Sequence, residues 1–177
     1  MFISLIEKRR SIRRFLSKEV EREKIDILIE AALRAPSSMG SNPWEFIVVQ
    51  DKTTLEKLSR AKPHGAGFLK NAPLGIVVCA DPDKSNVWVE DASIASIFIL
   101  LAAESMGLGG CWVQIRDRMH DDTKSAEAYI SELLDIPEGI NVEAIMGVGY
   151  PDEKKAPHGK GELQYEKVYY DTHGKRG

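Results

Sequence analysis

The chain has 177 residues, with 24 Lys and Arg against 27 Asp and Glu, a formal net charge of −3. That length supports one substantial core rather than two, and 43% hydrophobic with 29% charged residues is the balance of a folded soluble protein, so residues 1–177 read as a single domain. An acidic chain with no recurring basic stripe argues against nucleic acid as a partner. The opening "MFISLIEKRR" lacks the basic start, long apolar run and small-residue cleavage site of a signal peptide, so a cytoplasmic location is expected. Cys79 and Cys111 sit in apolar surroundings without CxxC spacing and read as reduced, buried thiols.

In chain order, "EKRRSIRRFL" at 7–16 comes first, with Lys8, Arg9, Arg10, Arg13 and Arg14 crowded at what reads as a helix end. A helix is predicted from Ser17 to Pro36, with Ile25, Leu28, Ile29, Ala32 and Leu33 at helical spacing. "PWEFIVVQD" predicts a strand, "TTLEKLSRA" a short helix and "APLGIVVCAD" a second strand, both strands being apolar enough for burial on two faces. Residues 88–106 predict a helix apolar on nearly every side, buried in a core or a subunit interface. Its apolar run, 92–103, is about half of the roughly 20 residues that would span a bilayer, so no membrane anchor is expected. "GCWVQI" then reads as a strand, "TKSAEAYISELLD" as an amphipathic helix and "VEAIMGVGY" as a fourth strand. The polar tail 151–177, with an extended-looking "YEKVYYD", is too poor in apolar residues to fold alone and should lie along another surface. The outcome is an α+β or α/β domain whose topology the periodicity leaves open.

Three guanidinium groups and a hydroxyl, on Arg9, Arg10, Ser11 and Arg13, suit a phosphate, because Arg offers a planar fork of donors and Ser a compact one. Read alone, the run fits a solvated basic face equally well. "APSSMGSNPW" at 35–44 can present Ser37, Ser38 and backbone N–H groups to a ligand, with Gly40 allowing close approach, although an ordinary turn has the same composition. "GLGGCW" is not a dinucleotide fingerprint, since it follows a helix and opens a strand, and no GxxxxGK[ST] loop is present. The four histidines are scattered without metal-ligand spacing, and no GxSxG elbow accompanies the serines. A chain with no legible acid, base, nucleophile or metal set is the kind that delegates its chemistry to a bound organic cofactor.

Taken together, "RRSIRRF", "APSSMGSNPWEFIVV", "EDASIASIFILLAAESMGLGGCWVQI" and "GVGYP" resemble, in matching order, the nitroreductase family of FMN-dependent oxidoreductases, and its small members most closely. The resemblance implies an α+β fold with a central, mostly antiparallel sheet flanked by helices, in an interlocked homodimer with FMN at the subunit interface. It implies that Arg9, Arg10, Ser11 and Arg13 hold the FMN phosphate and ribityl chain, and that Pro36, Ser37 and Ser38 reach the flavin from the partner. Where the family often carries Asn and Gln, this sequence has Gly40 and Asn42. Cys111, Trp112, Val113 and Gln114 would pass the flavin face and edge, and His158 or Lys160 in the tail would add a cation for the phosphate. The tail itself would pack on the partner, and helix 88–106 would form the dimer core. The implied reaction is ping-pong: NADH or NADPH delivers hydride to the flavin, and a nitroaromatic, quinone or similar small acceptor then takes the electrons, with no side chain assigned as acid or base. Two other readings stay open. One is a flavin-binding or storage protein without turnover, and the other a specialised flavoenzyme of the same fold, such as a dehalogenase or heterocycle oxidase.

Overall fold

The computed structural model describes residues 2–176. Five helices, α1 (Phe2–Lys8), α2 (Arg22–Leu33), α3 (Lys52–Leu58), α4 (Trp88–Ser105) and α5 (Ala126–Leu134), surround four strands, β1 (Trp44–Val49), β2 (Leu74–Ala80), β3 (Gly109–Gln114) and β4 (Asn141–Gly149). The strands form one antiparallel sheet in the order β1-β2-β4-β3, as the α+β reading requires.

Side chains alternate across a strand, so each central strand feeds two cores. Leu74, Ile76 and Val78 of β2 join Ala144, Met146 and Val148 of β4 beneath α2 and α4. Val77 and Cys79 of β2 join Val142 and Ile145 of β4, with Val113 of β3, beneath α3 and α5. Every residue of β2 is buried. β1 departs from the expectation of two-sided burial: it is an edge strand, and Glu45 and Val48 are exposed.

Local signals set several boundaries. Asp51 caps α3 by accepting from the Thr54 N–H at 2.7 Å, and Ser125 caps α5 by accepting from the Ala128 N–H at 3.0 Å. α4 buries a stripe of Ala92, Ala95, Ser96, Ile99 and Ala103 against the sheet. Ile94, Ile97 and Phe98, on its other side, stay 36–40% exposed in the single chain.

α2 begins at Arg22, five residues later than the Ser17 signal suggests. Tertiary contacts override local propensity here. Val20 is buried in the α2–α4 core, the Leu16 N–H donates to the Tyr150 carbonyl at 2.9 Å, and the Tyr150 hydroxyl donates to Glu21 at 2.6 Å. Together they hold 16–21 in a non-helical path. The tail departs from its extended reading with 3-10 turns at Lys160–Glu162 and Tyr165–Lys167, and among the described residues beyond Gly159 its hydrogen bonds are local. Tyr165, Val168 and Tyr170 are left 46–66% exposed.

The Tyr150 hydroxyl, and then the Lys18 ammonium, lower the Glu21 carboxyl from 4.5 to about 2. A carboxyl depressed on folding contributes stability above its unfolded value, and that contribution fades as pH falls from about 4.5 towards about 2. Tyr150→Phe should therefore lower the thermal midpoint at pH 7, and the gap to wild type should close as the scans approach pH 2. A gap independent of pH would remove Glu21 from the explanation.

Candidate functional site

α1 ends at Lys8, and residues 11–16 then run extended along one end of the β3–β4 pair. Ser11 bridges Gly110, and the Ile12 N–H donates to the Gly110 carbonyl at 3.0 Å. This close approach needs Gly109, because a Cβ there would stand 2.7 Å from the Ile12 side chain. On the other side Phe15 bridges Pro151, and the Asp152 N–H donates to the Arg14 carbonyl at 2.9 Å. The Glu153 carboxylate accepts from the Arg13 N–H at 2.6 Å and from the Arg14 N–H at 3.2 Å. An extended backbone alternates its side chains, so Ser11 and Arg13 share one side while Ile12 turns into the protein.

That side meets Cys111, whose buried thiol is pushed up by desolvation and drawn back by Arg13, the Ser11 hydroxyl and Lys155. Lys155 donates to the Ser11 carbonyl at 2.5 Å, and the Arg10 guanidinium donates to the Ala156 carbonyl. Lys62 is the outlying member. Burial, and then the Arg118 charge, push its ammonium below the usual lysine value, and Cys111 lies within its electrostatic reach. Among the described residues Arg13 and Lys62 form no ion pair, and Lys155 meets only Glu153 at 3.4 Å. The result is positive charge, partly withdrawn from water and short of carboxylates.

The loop after α2 is held by other means. The Ser38 N–H donates to buried Asp91 at 2.8 Å, and the Ser85 hydroxyl donates to the same carboxylate at 2.7 Å. Ser37 Oγ donates to the Asn42 side-chain oxygen at 2.8 Å and accepts from the Asn42 N–H at 3.0 Å. Met39, Gly40 and Asn42 all adopt positive φ, so the loop doubles back tightly after Pro36 and leaves Met39 fully exposed at its tip.

The sheet register fixes how far apart these two places are. The loop enters β1 at Trp44, opposite Ala80, which pairs with Asn141 at one end of the sheet. Ser11 joins β3 at Gly110, opposite Val148, which lies across from Leu74 at the other end. Strand spacings near 4.8 Å and a rise near 3.3 Å per residue put these diagonal corners about 25 Å apart. One chain brings Ser11, Arg13 and Cys111 together, with Arg9 and Arg10 just before them and Arg10 turned to the Ala156 carbonyl, and holds Pro36, Ser37, Ser38, Gly40 and Asn42 elsewhere.

The remaining expected positions divide. Val113 turns with Cys111 towards α3 and α5, whereas Trp112 packs on the α2–α4 side. The Trp112 indole N–H donates to Gln114 at 2.9 Å, and the Gln114 amide donates to buried Glu143 at 3.2 Å, so these polar groups are already engaged. His158 pairs with Glu162 at 2.8 Å, and Lys160 opens a short exposed turn. The tail cation at Ser11 is Lys155, which sequence reading passed over together with Lys62. "EKK" carried no signal beyond charge, and nothing in "RAKPHG" tells that its lysine turns inward.

The model of the nitroreductase family matches residues 6–63 and 59–150. The chain belongs to the nitroreductase family. Among solved structures, this family member is similar to an FMN-dependent nitroreductase from Clostridium difficile R20291, with 50% identity, 96% of this chain and 99% of that one covered, and a TM-score of 0.95. It is 40% identical, over 85% of its length and 78% of the relative's, to a Methanothermobacter thermautotrophicus protein provisionally named NADH dehydrogenase/NAD(P)H nitroreductase. It is 30% identical to the NADPH-flavin oxidoreductase of Vibrio harveyi, with 85% of this chain and 66% of the relative covered.

Buried Asp91 restrains both the family member's loop and Ser85. Asp91→Ala leaves those donors unmatched and should cost about 2 kcal/mol. The checks are the urea midpoint and a faster hydrogen exchange of the Ser38 amide. Unchanged exchange at Ser38 would show that the loop is held by other contacts.

Proposed function

We propose that this chain binds FMN and acts as an NAD(P)H-dependent oxidoreductase towards small acceptors such as nitroaromatics or quinones, as a homodimer with two sites. The observation that carries this reading is the cation set around Ser11 and Cys111. A half-buried lysine held below its usual protonation range without a carboxylate is a poor arrangement for the chain by itself and a good one for an anion. The donor chemistry fits FMN: guanidinium groups and a hydroxyl at 9–13 for the phosphate, and Lys62 for the negative charge of a reduced ring. The relatives' names agree with that choice.

When bound, FMN supplies hydride acceptance and release, which no side chain of the protein offers. The chain's own contribution is binding and electrostatics. Arg9, Arg10, Ser11 and Arg13 anchor the anionic end, joined by Lys155 where His158 or Lys160 was expected, and the backbone lock between 13–16 and 150–153 keeps that segment rigid. Lys62 holds positive charge on the side of Cys111, and no residue is required as an obligatory acid or base.

The diagonal separation of Ser11 and the Ser37–Ser38 loop supports a second copy completing the site. So do the exposed Ile94, Ile97 and Phe98 of α4, with Phe2, Ile3 and Ile6 of α1, and so do Tyr165 and Tyr170 of the tail, which stay exposed on their own chain. Pro36, Ser37 and Ser38 would then face the partner's FMN.

The purified protein should be yellow, run as a dimer in solution and bleach when mixed with NADPH in the absence of oxygen. A colourless protein that gains no flavin spectrum on adding FMN would end this reading, and a yellow protein inert to both NADH and NADPH would leave a flavin binder without turnover. Lys62→Met gives a sharper check. It removes a charge that folding desolvates, so the flavin-free protein should be as stable as wild type or more so at neutral pH, while FMN binds on the order of tenfold more weakly. Equal FMN affinity in the variant would remove Lys62 from the site.

A further inference from the structure

A second concave site lies beyond Arg13, on the far side of the 13–17 segment. It is a groove of about 710 Å³, walled by residues 13–19 and by 70–73, with Lys52 and Gln50 closing its end. That volume is in the range that accommodates a small-molecule ligand.

Its floor is built. Phe15 and Ala72 are buried, and Pro73 packs so closely over Gly149 that a Cβ there would meet it at 2.6 Å and Phe15 at 3.0 Å. The wall is rigid as well, since 14–16 are hydrogen-bonded to 150–152. A flat apolar group therefore has a firm surface to rest on.

Its rim is cationic. Arg13, Arg14, Lys18, Lys52 and Lys70 face it, against the carboxylates Glu19 and Asp152. Asp152 is engaged by Arg14 at 3.6 Å, and Lys18 is engaged by Glu21 at 2.9 Å and by the Tyr150 ring at 3.9 Å. Among the described residues, Lys52 and Lys70 have no ion pair at all. A chain of net charge −3 that collects unpaired positive charge in a concavity focuses a field there, and the field favours an anion carrying more than one charge.

We propose that this groove binds a phosphorylated small molecule with a flat apolar part and at least two negative charges, of the kind a nucleoside diphosphate presents. The phosphates lie between Lys52 and Lys70 at the rim, and the ring lies on Phe15 and Pro73. The groove shares only Arg13 with the proposed FMN anchor: Lys52 and Lys70, which carry the proposal, belong to the groove alone, and ADP binding there does not depend on the flavin reaction. Such a ligand has two sources: a free nucleotide, or the adenosine phosphate end of NADPH.

The test is calorimetric titration of the purified, flavin-loaded full chain with ADP, and with adenosine as the uncharged control. ADP should bind saturably and more weakly as salt rises, and adenosine should bind far less well. Lys52→Glu with Lys70→Glu should lower ADP affinity on the order of tenfold or more with flavin content unchanged, and Lys52→Ala with Lys70→Ala should do so less steeply. Both lysines are exposed, so neither pair threatens folding. A raised KM for NADPH in the double variant assigns the groove to the co-substrate, and an unchanged one assigns it to a free nucleotide. The proposal is overturned if wild type shows no saturable ADP binding, if both variants bind ADP as wild type does, or if ADP releases the flavin and so reports the FMN site instead.

Discussion

The candidate site rests on the docking of residues 11–16 against the start of β3 and the segment that leaves β4. Ser11 and Ile12 bind Gly110 on one side, and Arg14 to Leu16 bind Tyr150 to Asp152 on the other. The segment is thereby stitched between two neighbours although it belongs to no regular strand. Its backbone polarity is satisfied by this arrangement, which leaves the side chains free to serve a ligand. Over residues 11–13 successive side chains face opposite ways, sending Ile12 to the interior and Ser11 with Arg13 to the candidate site, and Phe15 then joins Ile12 in the core.

The electrostatics follow from that docking. The Glu153 carboxylate is spent on the Arg13 and Arg14 backbone N–H groups, which hold it below the usual carboxylate range. It keeps its charge, beside Lys155 at 3.4 Å, but forms no ion pair with either guanidinium group among the described residues. Lys155 turns to the Ser11 carbonyl, and Lys62 is drawn inward without a carboxylate of its own. Both choices leave positive charge close to Cys111.

The sheet order sets the rest. With β1 and β3 on opposite edges, the Ser37–Ser38 loop and the Ser11–Arg13 segment occupy diagonal corners, and the long helix α4 packs on the sheet with Ile94, Ile97 and Phe98 left exposed. Uncovered Ile94, Ile97 and Phe98, together with exposed Tyr165 and Tyr170 in the tail, are the apolar surface on which the proposed dimer rests.

The sequence by itself determined the elements whose signals are local. β2 announces itself by a dense apolar run, α4 by its apolar length, α5 by its amphipathic spacing, and the candidate site segments by their unusual composition. Order and spacing of those segments also carried the family. Tertiary structure alone decided that β1 is an edge, that Ser17 starts no helix because Val20 and Glu21 are claimed by the core and Tyr150, and that Lys62 and Lys155 come near Ser11 and Cys111 while His158 turns to Glu162. The reason is physical. Propensity and capping act over a few residues, whereas burial of a charge and pairing across 144 positions, as between Lys155 and Ser11, depend on what the folded chain brings alongside.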